Sequence, residues 1–313
     1  MGYGDKGIWA STDGRTWTKA APGSPAGPML VFETAAGLAA LVLDAVSCPT
    51  VARPCYPQSA GPVEAWTSND GVMWADRGPA KGISGLQLTA AAGGPIGAVA
   101  AAAGSNGPEV LFSTDGVTWT AESVAGVSPK FWCSDAVFGM GKFVLMCPAA
   151  KETDAGDLPT QPVWSSDGIH WSDGTAPVTT DRPAGIDTIL AGKAGFIATG
   201  YVPGEAGAAE WWRSADGVSW QFVPGYAPVG SYTTKAAVPG GTYPNGWLCG
   251  DGNRLLALSL DSSHALLSGA GWTSADGKSW SKLTGQASID ANQFTEVLFP
   301  TGILAAGWWG AAS

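Results

Sequence analysis

Short apolar runs bounded by glycine recur along the whole chain, and each is preceded by a second run of similar length. The later runs include GLAALVL (37–43), KFVLMC (142–147) and FIATG (196–200), and the earlier ones are MLVFETA, LQLTAAA, FWCSDAVF, IDTILA, GWLCG and FTEVLF. Apolar runs of this length between glycines are typical of buried strands. No long stretch shows the 3.6-residue periodicity of an amphipathic helix. The pattern predicts strand pairs joined by tight turns.

A second strand pair follows each of these pairs, and its turn has a fixed sequence. The stretch GWTSADGKSW (271–280) contains Ser-x-Asp-Gly-x-x-Trp, which occurs six times at spacings of 45 to 60 residues. Gly supplies the positive φ that such turns require, and the Asp carboxylate accepts hydrogen bonds from N–H groups of the turn. A catalytic group is needed once, whereas a unit of the fold recurs, so we interpret the motif as structural. Its residues are Ser11, Asp13, Gly14, Trp17, Ser68, Asp70, Gly71, Trp74, Ser113, Asp115, Gly116, Trp119, Ser165, Asp167, Gly168, Trp171, Ser214, Asp216, Gly217, Trp220, Ser274, Asp276, Gly277 and Trp280.

Tryptophans flank the motif on both sides of the turn. Every copy has a Trp four positions after Asp, and four copies have another four positions before it. Symmetric placement about the turn predicts that these side chains form cross-strand aromatic pairs. The earlier position is occupied by Trp9, Trp66, Leu111, Val163, Trp212 and Trp272.

Each repeat therefore comprises four strands, A to D in chain order, and repeated four-stranded units predict the blades of a β-propeller. The first motif (8–17) has no A and B strands before it, and the segment 294–310 has no C and D strands after it. Joining these segments completes a blade without exposing a sheet edge. We predict one all-β domain over residues 1–313, a six-bladed β-propeller with four antiparallel strands per blade. Its closing blade is formed by residues 1–20 and 288–313.

The repeated motif resembles the Asp-box, or BNR repeat, of sialidase-like propellers, and the resemblance extends over nearly the whole chain. The usual box has one more residue between Asp and Gly, and the shorter form found here is similar to that of many bacterial secreted propeller proteins. The resemblance implies that the motif occupies the C–D turn at the periphery of each blade, away from the ligand face. It therefore bears on the fold and says little about activity.

Charge and composition narrow the classes of partner. The chain has 45 Gly, 22 Pro and 16 Trp, and only 13 % of its residues are charged. A net charge of −10 opposes nucleic-acid binding, which needs basic groups to neutralise phosphates. No apolar run reaches the length of a transmembrane helix, and no basic amphipathic segment indicates a membrane surface.

The five cysteines bear on the compartment. Cys48 and Cys55 bracket a short loop that a disulfide would fix, and Cys133 and Cys147 lie symmetrically about the turn GMGK. The second pair should therefore face each other across a hairpin at a distance that a disulfide spans. Two disulfides are typical of an extracytoplasmic protein, whether secreted, periplasmic or envelope-associated. Buried free thiols in a cytosolic protein are the alternative, and Cys249 has no partner in this scheme.

Long connections carry the candidate binding residues. If the A–B and C–D turns share one face, the B–C and D–A loops meet on the other, and loops held on a rigid scaffold are common binding sites. Tyr226, Tyr232 and Tyr243 lie in one D–A loop that leads to Trp247. Such aromatics suit protein hot spots and stacking on sugar rings, although packing of the loop onto its own blade accounts for them equally well.

Arg182 and Asp187 lie near another D–A loop and are candidates for binding a polar ligand, with a partly solvated ion pair as the alternative. A sialidase requires an arginine triad, and the family's Arg-Ile-Pro segment is absent from this chain. Other glycosidases require two facing carboxylates, which the sequence alone does not pair. Only His170 and His264 are present, so a histidine-rich metal site is excluded.

The sequence favours a non-catalytic, extracytoplasmic binding or scaffold propeller. It would engage a protein partner or an envelope glycan through its B–C and D–A loops, either alone or as a subunit of an envelope assembly. We expect no cofactor, no metal and no nucleic acid. The alternative is an enzyme, a sialidase-like or other glycoside hydrolase whose carboxylates come from the same loops.

Overall fold

The fold, seen in a computed structural model, is built from four-stranded antiparallel β-sheets. Side chains are described up to residue 223, except at several strand positions that include Trp9 and Asp187. The structure describes residues 7–11, 18–26, 29–43, 62–104, 107–122, 133, 135–149, 159–179, 182–192, 194–201, 210–223, 245–250, 255–260, 266–274, 281–282, 294–299 and 302–307.

Five sheets form from consecutive parts of the chain, and within each one every strand pairs with the next. Sheet 1 contains β3 (Met29–Thr34), β4 (Gly37–Val42), β5 (Glu64–Ser68) and β6 (Ala75–Pro79). Sheet 2 contains β7 (Gln87–Gly94), β8 (Gly97–Gly104), β9 (Gly107–Ser113) and β10 (Thr120–Glu122). Sheet 3 contains β11 (Asp135–Gly139), β12 (Lys142–Pro148), β13 (Thr160–Ser165) and β14 (Ser172–Asp173). Sheet 4 contains β15 (Gly185–Gly192), β16 (Gly195–Tyr201), β17 (Glu210–Ser214) and β18 (Gln221–Phe222), and sheet 5 contains β19 (Asn245–Gly250), β20 (Leu255–Leu260), β21 (Leu266–Ser274) and β22 (Ser281–Lys282).

A further sheet, the terminal sheet, combines the first two described strands with the last two. These are β1 (Gly7–Ser11), β2 (Thr18–Lys19), β23 (Phe294–Phe299) and β24 (Gly302–Gly307). β1 pairs antiparallel with β24, with Ile8 opposite Ala306. The A strands of the sheets also contact one another in order, β3 with β7, β7 with β11, β11 with β15, β15 with β19, β19 with β23 and β23 with β3.

The predicted apolar runs coincide closely with strands. The run predicted over 294–299 is β23 without change, and the run over 142–147 is β12 with one residue added. The main difference is FWCSDAVF, where pairing begins only at Asp135. The residues before it are outside the described part except for Cys133, which is buried and forms the predicted disulfide with Cys147. Cys48 and Cys55 fall outside the described residues.

The buried side chains lie between successive sheets. Phe32 and Leu41 of sheet 1 pack with Leu88 and Leu111 of sheet 2. Equivalent clusters join sheets 2 and 3, sheets 3 and 4, and the terminal sheet and sheet 1. Because alternate side chains of a strand point to opposite faces, a sheet with a neighbour on each side needs apolar residues at every position. This explains why the strands read as continuous apolar runs.

In sheets 1 to 4, the A–B turn and the motif turn lie at the same edge of the sheet. The second residue of the B strand in these sheets is opposite the motif Ser, as Leu38 is opposite Ser68. Gly97 begins a B strand with φ +139, and a Cβ added to it would lie 2.5 Å from the carbonyl oxygen of Ser113. Glycine at this position therefore lets the two turns approach each other.

The motif glycines also pack against the neighbouring sheet. Gly217 has φ +75, and a Cβ added there would lie 2.6 Å from Cγ2 of Val144 in sheet 3. A Cβ at Gly116 would lie 3.3 Å from the ring of Phe32 in sheet 1. The glycine is thus required both by the backbone conformation and by the space between sheets.

Replacing Gly217 with Ala should therefore destabilise the protein in two ways, which a matched glycine can separate. Gly85 has φ +77 with nothing near its added Cβ, so Gly85→Ala measures the backbone strain alone, about 1–2 kcal/mol. Gly217→Ala should cost roughly 1–3 kcal/mol more because it overpacks the seam. Urea unfolding of both variants measures this, and equal losses would show that the seam is not tightly packed.

Candidate functional site

The four motif copies in sheets 1 to 4 are described, and each forms the same hydrogen-bonded turn. In sheet 1, Oδ1 of Asp70 accepts hydrogen bonds from the N–H groups of Val72 and Met73, both at 2.8 Å. Ser68 donates its hydroxyl to the same carboxylate oxygen and accepts the N–H of Gly71 at 2.9 Å. The equivalent bonds are present in the other three copies. The first and sixth copies lie largely outside the described residues.

These bonds keep the motif carboxylates ionised. The hydrogen bond from Met73 N–H has the largest effect on Asp70 and lowers the pKa of its carboxyl below its usual value. The bond from Ser219 N–H does the same for the pKa of Asp216. At Asp115, burial raises the pKa, but the bonds from the turn together outweigh it. A general acid needs the opposite shift, so the electrostatics support a structural role for the motif.

The predicted cross-strand tryptophan pairs are wrong. Across strands C and D, the residue four positions before the motif Asp pairs with the residue six positions after it. Trp212 therefore pairs with Phe222, and Trp66 pairs with Asp76. The reason is that the Asp carboxylate holds two further residues in the turn before strand D begins. The ring next to Trp212 is accordingly Phe222, with centroids 5.7 Å apart.

The Trp that follows the turn instead folds back onto it. Nε1 of Trp74 donates to the carbonyl of Gly71 at 2.9 Å, and Trp119 and Trp171 make the same bond at 3.2 Å. Trp220 differs, because its Nε1 is buried and has no hydrogen-bond partner among the described residues. Its ring lies against Phe196 at the seam with sheet 3.

In sheets 1, 2 and 4, the motif turn also joins the sheet to the one before it. The N–H of Lys81, just after sheet 1, donates to the carbonyl of Val117 at 2.9 Å. Val117 is two positions after Asp115. The equivalent residues of sheets 1 and 4 accept the same bond, Val72 from Ala21 and Val218 from Thr175. In sheet 2, for example, the Asp115 carboxylate accepts the N–H of Val117 and thus orients the C=O of Val117 toward the neighbouring sheet. The sequence gives no signal for this bond, since its donor is an ordinary backbone group.

The fourth motif copy carries an additional ion pair. Nδ1 of His170 lies 2.7 Å from Oδ2 of Asp167, and both side chains are exposed. The hydrogen bond from His170 lowers the pKa of Asp167 far below its usual range. The same hydrogen bond and the carboxylate charge raise the pKa of His170, with a smaller contribution from Glu122.

Three of the six predicted ligand residues, Tyr226, Tyr232 and Tyr243, lie outside the part of the chain that the structure describes. Trp247 is in β19, where the backbone alone is described. The role of these residues therefore remains a prediction.

Arg182 is exposed on a D–A loop that is braced by hydrogen bonds within the loop and to sheet 4. The carbonyl of Arg182 accepts the N–H of Thr179 at 2.8 Å, and the N–H of Ala184 donates to Pro177 at 3.0 Å. Nε1 of Trp212 donates to the carbonyl of Val178 at 2.9 Å and anchors the loop to sheet 4. A braced loop presents its exposed side chain with little loss of conformational entropy on binding.

Asp187 lies at a β-bulge in β15, between Ile186 and Thr188. Two groups of sheet 3 bond the backbone on either side of it. The N–H of Ile186 donates to Oγ1 of Thr160 at 2.7 Å, and the N–H of Ile189 donates to Oδ2 of Asp135 at 2.8 Å. Bulges commonly redirect a side chain next to a functional site. Asp135 and Thr160 were not identified from the sequence, because nothing in the chain links positions that are so far apart.

A metal-binding cluster and a membrane-spanning helix are both absent from the described residues. Within them, no group of His, Cys, Asp and Glu is arranged to hold a metal ion. No helix in the same part of the chain is long and apolar enough to span a bilayer.

No family model matches the chain, and no curated protein matches it in sequence. Solved structures do resemble it. A protein of unknown function from Dyadobacter fermentans has a TM-score of 0.52 at 14 % identity, over 97 % of this chain and 95 % of its own. The SapL1 lectin in complex with alpha methyl fucoside has a TM-score of 0.50 at 13 % identity, over 90 % of this chain and 88 % of its own. A Trypanosoma rangeli sialidase in complex with the inhibitor DANA has a TM-score of 0.52 at 12 % identity, over 94 % of this chain but only 56 % of the sialidase. At these identities the likeness concerns the fold alone, which is all-β and of the β-propeller type.

Replacing Asp216 with Ala should lower the free energy of unfolding by about 1–2 kcal/mol, because two turn N–H groups lose their acceptor as at a lost helix cap. Asp173→Ala, at an exposed strand position of sheet 3, serves as the control and should change it by less than about 0.5 kcal/mol. Chemical denaturation measures both values. Any ligand binding by folded Asp216→Ala should be unchanged, and a loss of binding at unaltered stability would contradict the structural role.

The His170–Asp167 pair should stabilise the protein at acidic pH. Because the pKa of His170 is raised on folding, its contribution is complete below the unfolded value near 6.5 and is lost as pH rises through the folded value. His170→Thr introduces the residue that the preceding motif copy carries as Thr118. The melting temperature of this variant should fall below that of the wild type at pH 5.5, and the two should converge at pH 9. A difference independent of pH would exclude the ion pair as its cause.

Proposed function

We propose that the six sheets are the blades of a closed six-bladed propeller formed by residues 1–313 as one domain. The pairing of β1 with β24 and the cyclic order of contacts among the A strands support this arrangement. The position of the motif turns at one edge of each sheet also supports their interpretation as short Asp-boxes. An experimental structure with the first and last strands in separate sheets would overturn the proposal.

The function that these features support best is non-catalytic binding of a glycan. The observation that carries it is the similarity to the SapL1 lectin, in complex with alpha methyl fucoside, over most of the length of both chains. The sialidase likeness supports the alternative, a glycoside hydrolase, but this chain spans little more than half of that enzyme. A protein partner or an envelope assembly has no comparable observation in its favour.

The face formed by the B–C and D–A loops is the proposed binding surface. In sheets 1 to 4, the opposite edge is occupied by the A–B and motif turns, and polar groups of the motif turns bond one another and, in sheets 1, 2 and 4, the adjacent sheet. On the loop side, Arg182 extends from a braced turn and Asp187 lies at a bulge. We assign Tyr226, Tyr232, Tyr243 and Trp247 to the same surface as candidate stacking residues for sugar rings.

An extracytoplasmic location accords with this function. The Cys133–Cys147 disulfide is buried between sheets 2 and 3, and disulfides persist in oxidising compartments. Glycan ligands are also exposed at the outside of cells. Fractionation of the native cell would test the location directly, and recovery in the cytosol with free thiols would contradict it.

Binding should depend on Arg182, and a glycan array followed by calorimetry measures this. We expect the wild type to bind a restricted set of glycans, and alpha methyl fucoside is the first monosaccharide to titrate. Arg182→Ala should weaken binding about tenfold, as expected for the loss of one or two hydrogen bonds to a charged donor, without a change in melting temperature. The control is Arg77→Ala, because Arg77 is exposed in β6 and its Nε donates to Thr67 at the outer strand pair.

The enzyme alternative is tested with the same preparations. Fluorogenic sialosides and a panel of aryl glycosides should show no turnover if the protein only binds. Turnover that disappears in Asp187→Asn would instead establish a hydrolase. Absence of both binding and turnover across the panels would reject both proposals.

A further inference from the structure

The motif places an aspartate before a glycine in each turn, and this pair is open to a side reaction. The backbone nitrogen of the glycine can attack Cγ of the aspartate, so that a C–N bond forms, one carboxyl C–O bond breaks and the oxygen leaves as water with the N–H proton. Hydrolysis of the resulting succinimide returns aspartate or gives isoaspartate, in which the main chain runs through Cβ and Cγ. Glycine favours the attack because it has no Cβ to hinder the approach.

The reacting groups differ in their access to water. In the four described copies the aspartates are exposed, whereas the glycines that follow them are buried. The motif serines are buried as well, with exposures of 0 to 6 %. The hydrogen bond between serine and glycine is therefore shielded from the water that would otherwise take the N–H proton.

The glycine N–H is directed at the serine. It donates to Oγ of the motif Ser at 2.8 to 2.9 Å in all four copies. When the proton leaves, the electron pair that attacks lies where the hydrogen was, so it faces the serine Oγ. An attack on the aspartate therefore requires the peptide to rotate and this bond to break.

Three donors fix the orientation of the carboxylate. In sheet 2, Oδ1 of Asp115 accepts the N–H groups of Val117 and Thr118, both at 2.8 Å, and the hydroxyl of Ser113 at 3.0 Å. Rotation of Cγ toward the glycine nitrogen would break these bonds together. The serine thus holds both reacting groups, one through its lone pairs and the other through its hydroxyl proton.

Ionisation of the carboxylate acts in the same direction. A carboxylic acid can lose its hydroxyl as water, whereas a carboxylate has no such leaving group. The hydrogen bond from Ser219 N–H lowers the pKa of Asp216, and the bond from Met73 N–H lowers the pKa of Asp70. The unreactive form is therefore favoured at neutral pH.

We propose that the motif serine, by holding the glycine N–H and the carboxylate at once, protects the Asp-Gly pair from conversion to isoaspartate. This role requires no ligand and goes beyond the proposed glycan binding. Conversion would shift the carboxylate onto a longer main chain, and two turn N–H groups would lose their acceptor. At Asp115 the carbonyl of Val117, which accepts the bond from Lys81, would lose its orientation as well. Damage at one turn would then reach the seam with the preceding sheet.

The test incubates the native full chain in water enriched in oxygen-18 at neutral pH, since each hydrolysis of a succinimide adds one heavy oxygen. Digestion with endoproteinase Asp-N, which cleaves before aspartate and not before isoaspartate, and mass spectrometry locate the label and the isomer. In urea, where the turns are lost, the motif copies should all label. In the native protein the four described copies should label more than about a hundredfold slower, because several hydrogen bonds must break together before the attack.

Ser113→Ala separates the effect of the serine from that of the whole fold. It should raise labelling at Asp115 about tenfold and leave the other three described copies at the wild-type rate. Thr114→Ala is the matched control, because Thr114 is exposed between these two residues and sheet 4 carries Ala215 at the equivalent position. It should label like the wild type.

Ser68→Ala repeats the test at Asp70 in sheet 1, so that the result does not depend on the folding of one variant. The proposal is overturned if both serine variants, shown to be folded by their melting curves, label their own copy no faster than the wild type. It is also overturned if a folded variant labels all four copies faster to the same extent, because lower global stability would then be the cause. Labelling of the native wild type as fast as in urea, or of no copy in urea, would overturn it too.

Discussion

The fold depends on one repeated interaction, an Asp carboxylate that accepts two backbone N–H groups of its own turn. In sheet 2 the acceptor is Asp115, and one of the two donors is Val117. With that N–H fixed, the carbonyl of Val117 faces sheet 1 and accepts a bond from Lys81. Gly116 lies against Phe32 in the same seam, where a side chain has no room. A local turn therefore sets both the hairpin and the spacing of adjacent sheets, which is why a short motif recurs in a chain that otherwise varies.

This constraint divides the molecule into two unlike edges. At the turn edge, the carboxylates and the polar backbone are occupied by one another, so what remains available is apolar surface such as Met140 and Ile169. At the loop edge, the connections are longer, and bonds such as that from Trp212 to Val178 anchor a loop to its sheet. A glycan binds polar groups that orient it beside an aromatic surface, and the candidates for both lie on the loop edge.

Local features were predictable from the sequence, and features that join distant segments were not. The strand pairs and the motif turn follow from apolar runs, glycine and aspartate within a few residues of each other. The partner of Trp212 was misplaced because the number of residues that the carboxylate holds in the turn is not evident from spacing. The hydrogen bonds that β15 donates to Thr160 and Asp135 have no sequence signal, since both acceptors are ordinary strand residues. The loop site could not be assembled for the same reason, because Arg182 and Trp247 meet only if the intervening sheets place them together.

The seam between sheets 3 and 4 shows how a change in one turn alters the contacts between two sheets. The A–B turn of sheet 3 has two residues of positive φ, Met140 and Gly141. The B strand of this sheet then starts with Lys142, whereas the B strands of sheets 1, 2 and 4 start with glycine. The lysine Nζ lies over the Trp164 ring of its own sheet and donates across the seam to the carbonyl of Asp216 in sheet 4. A single change of turn type thus adds a hydrogen bond across one seam.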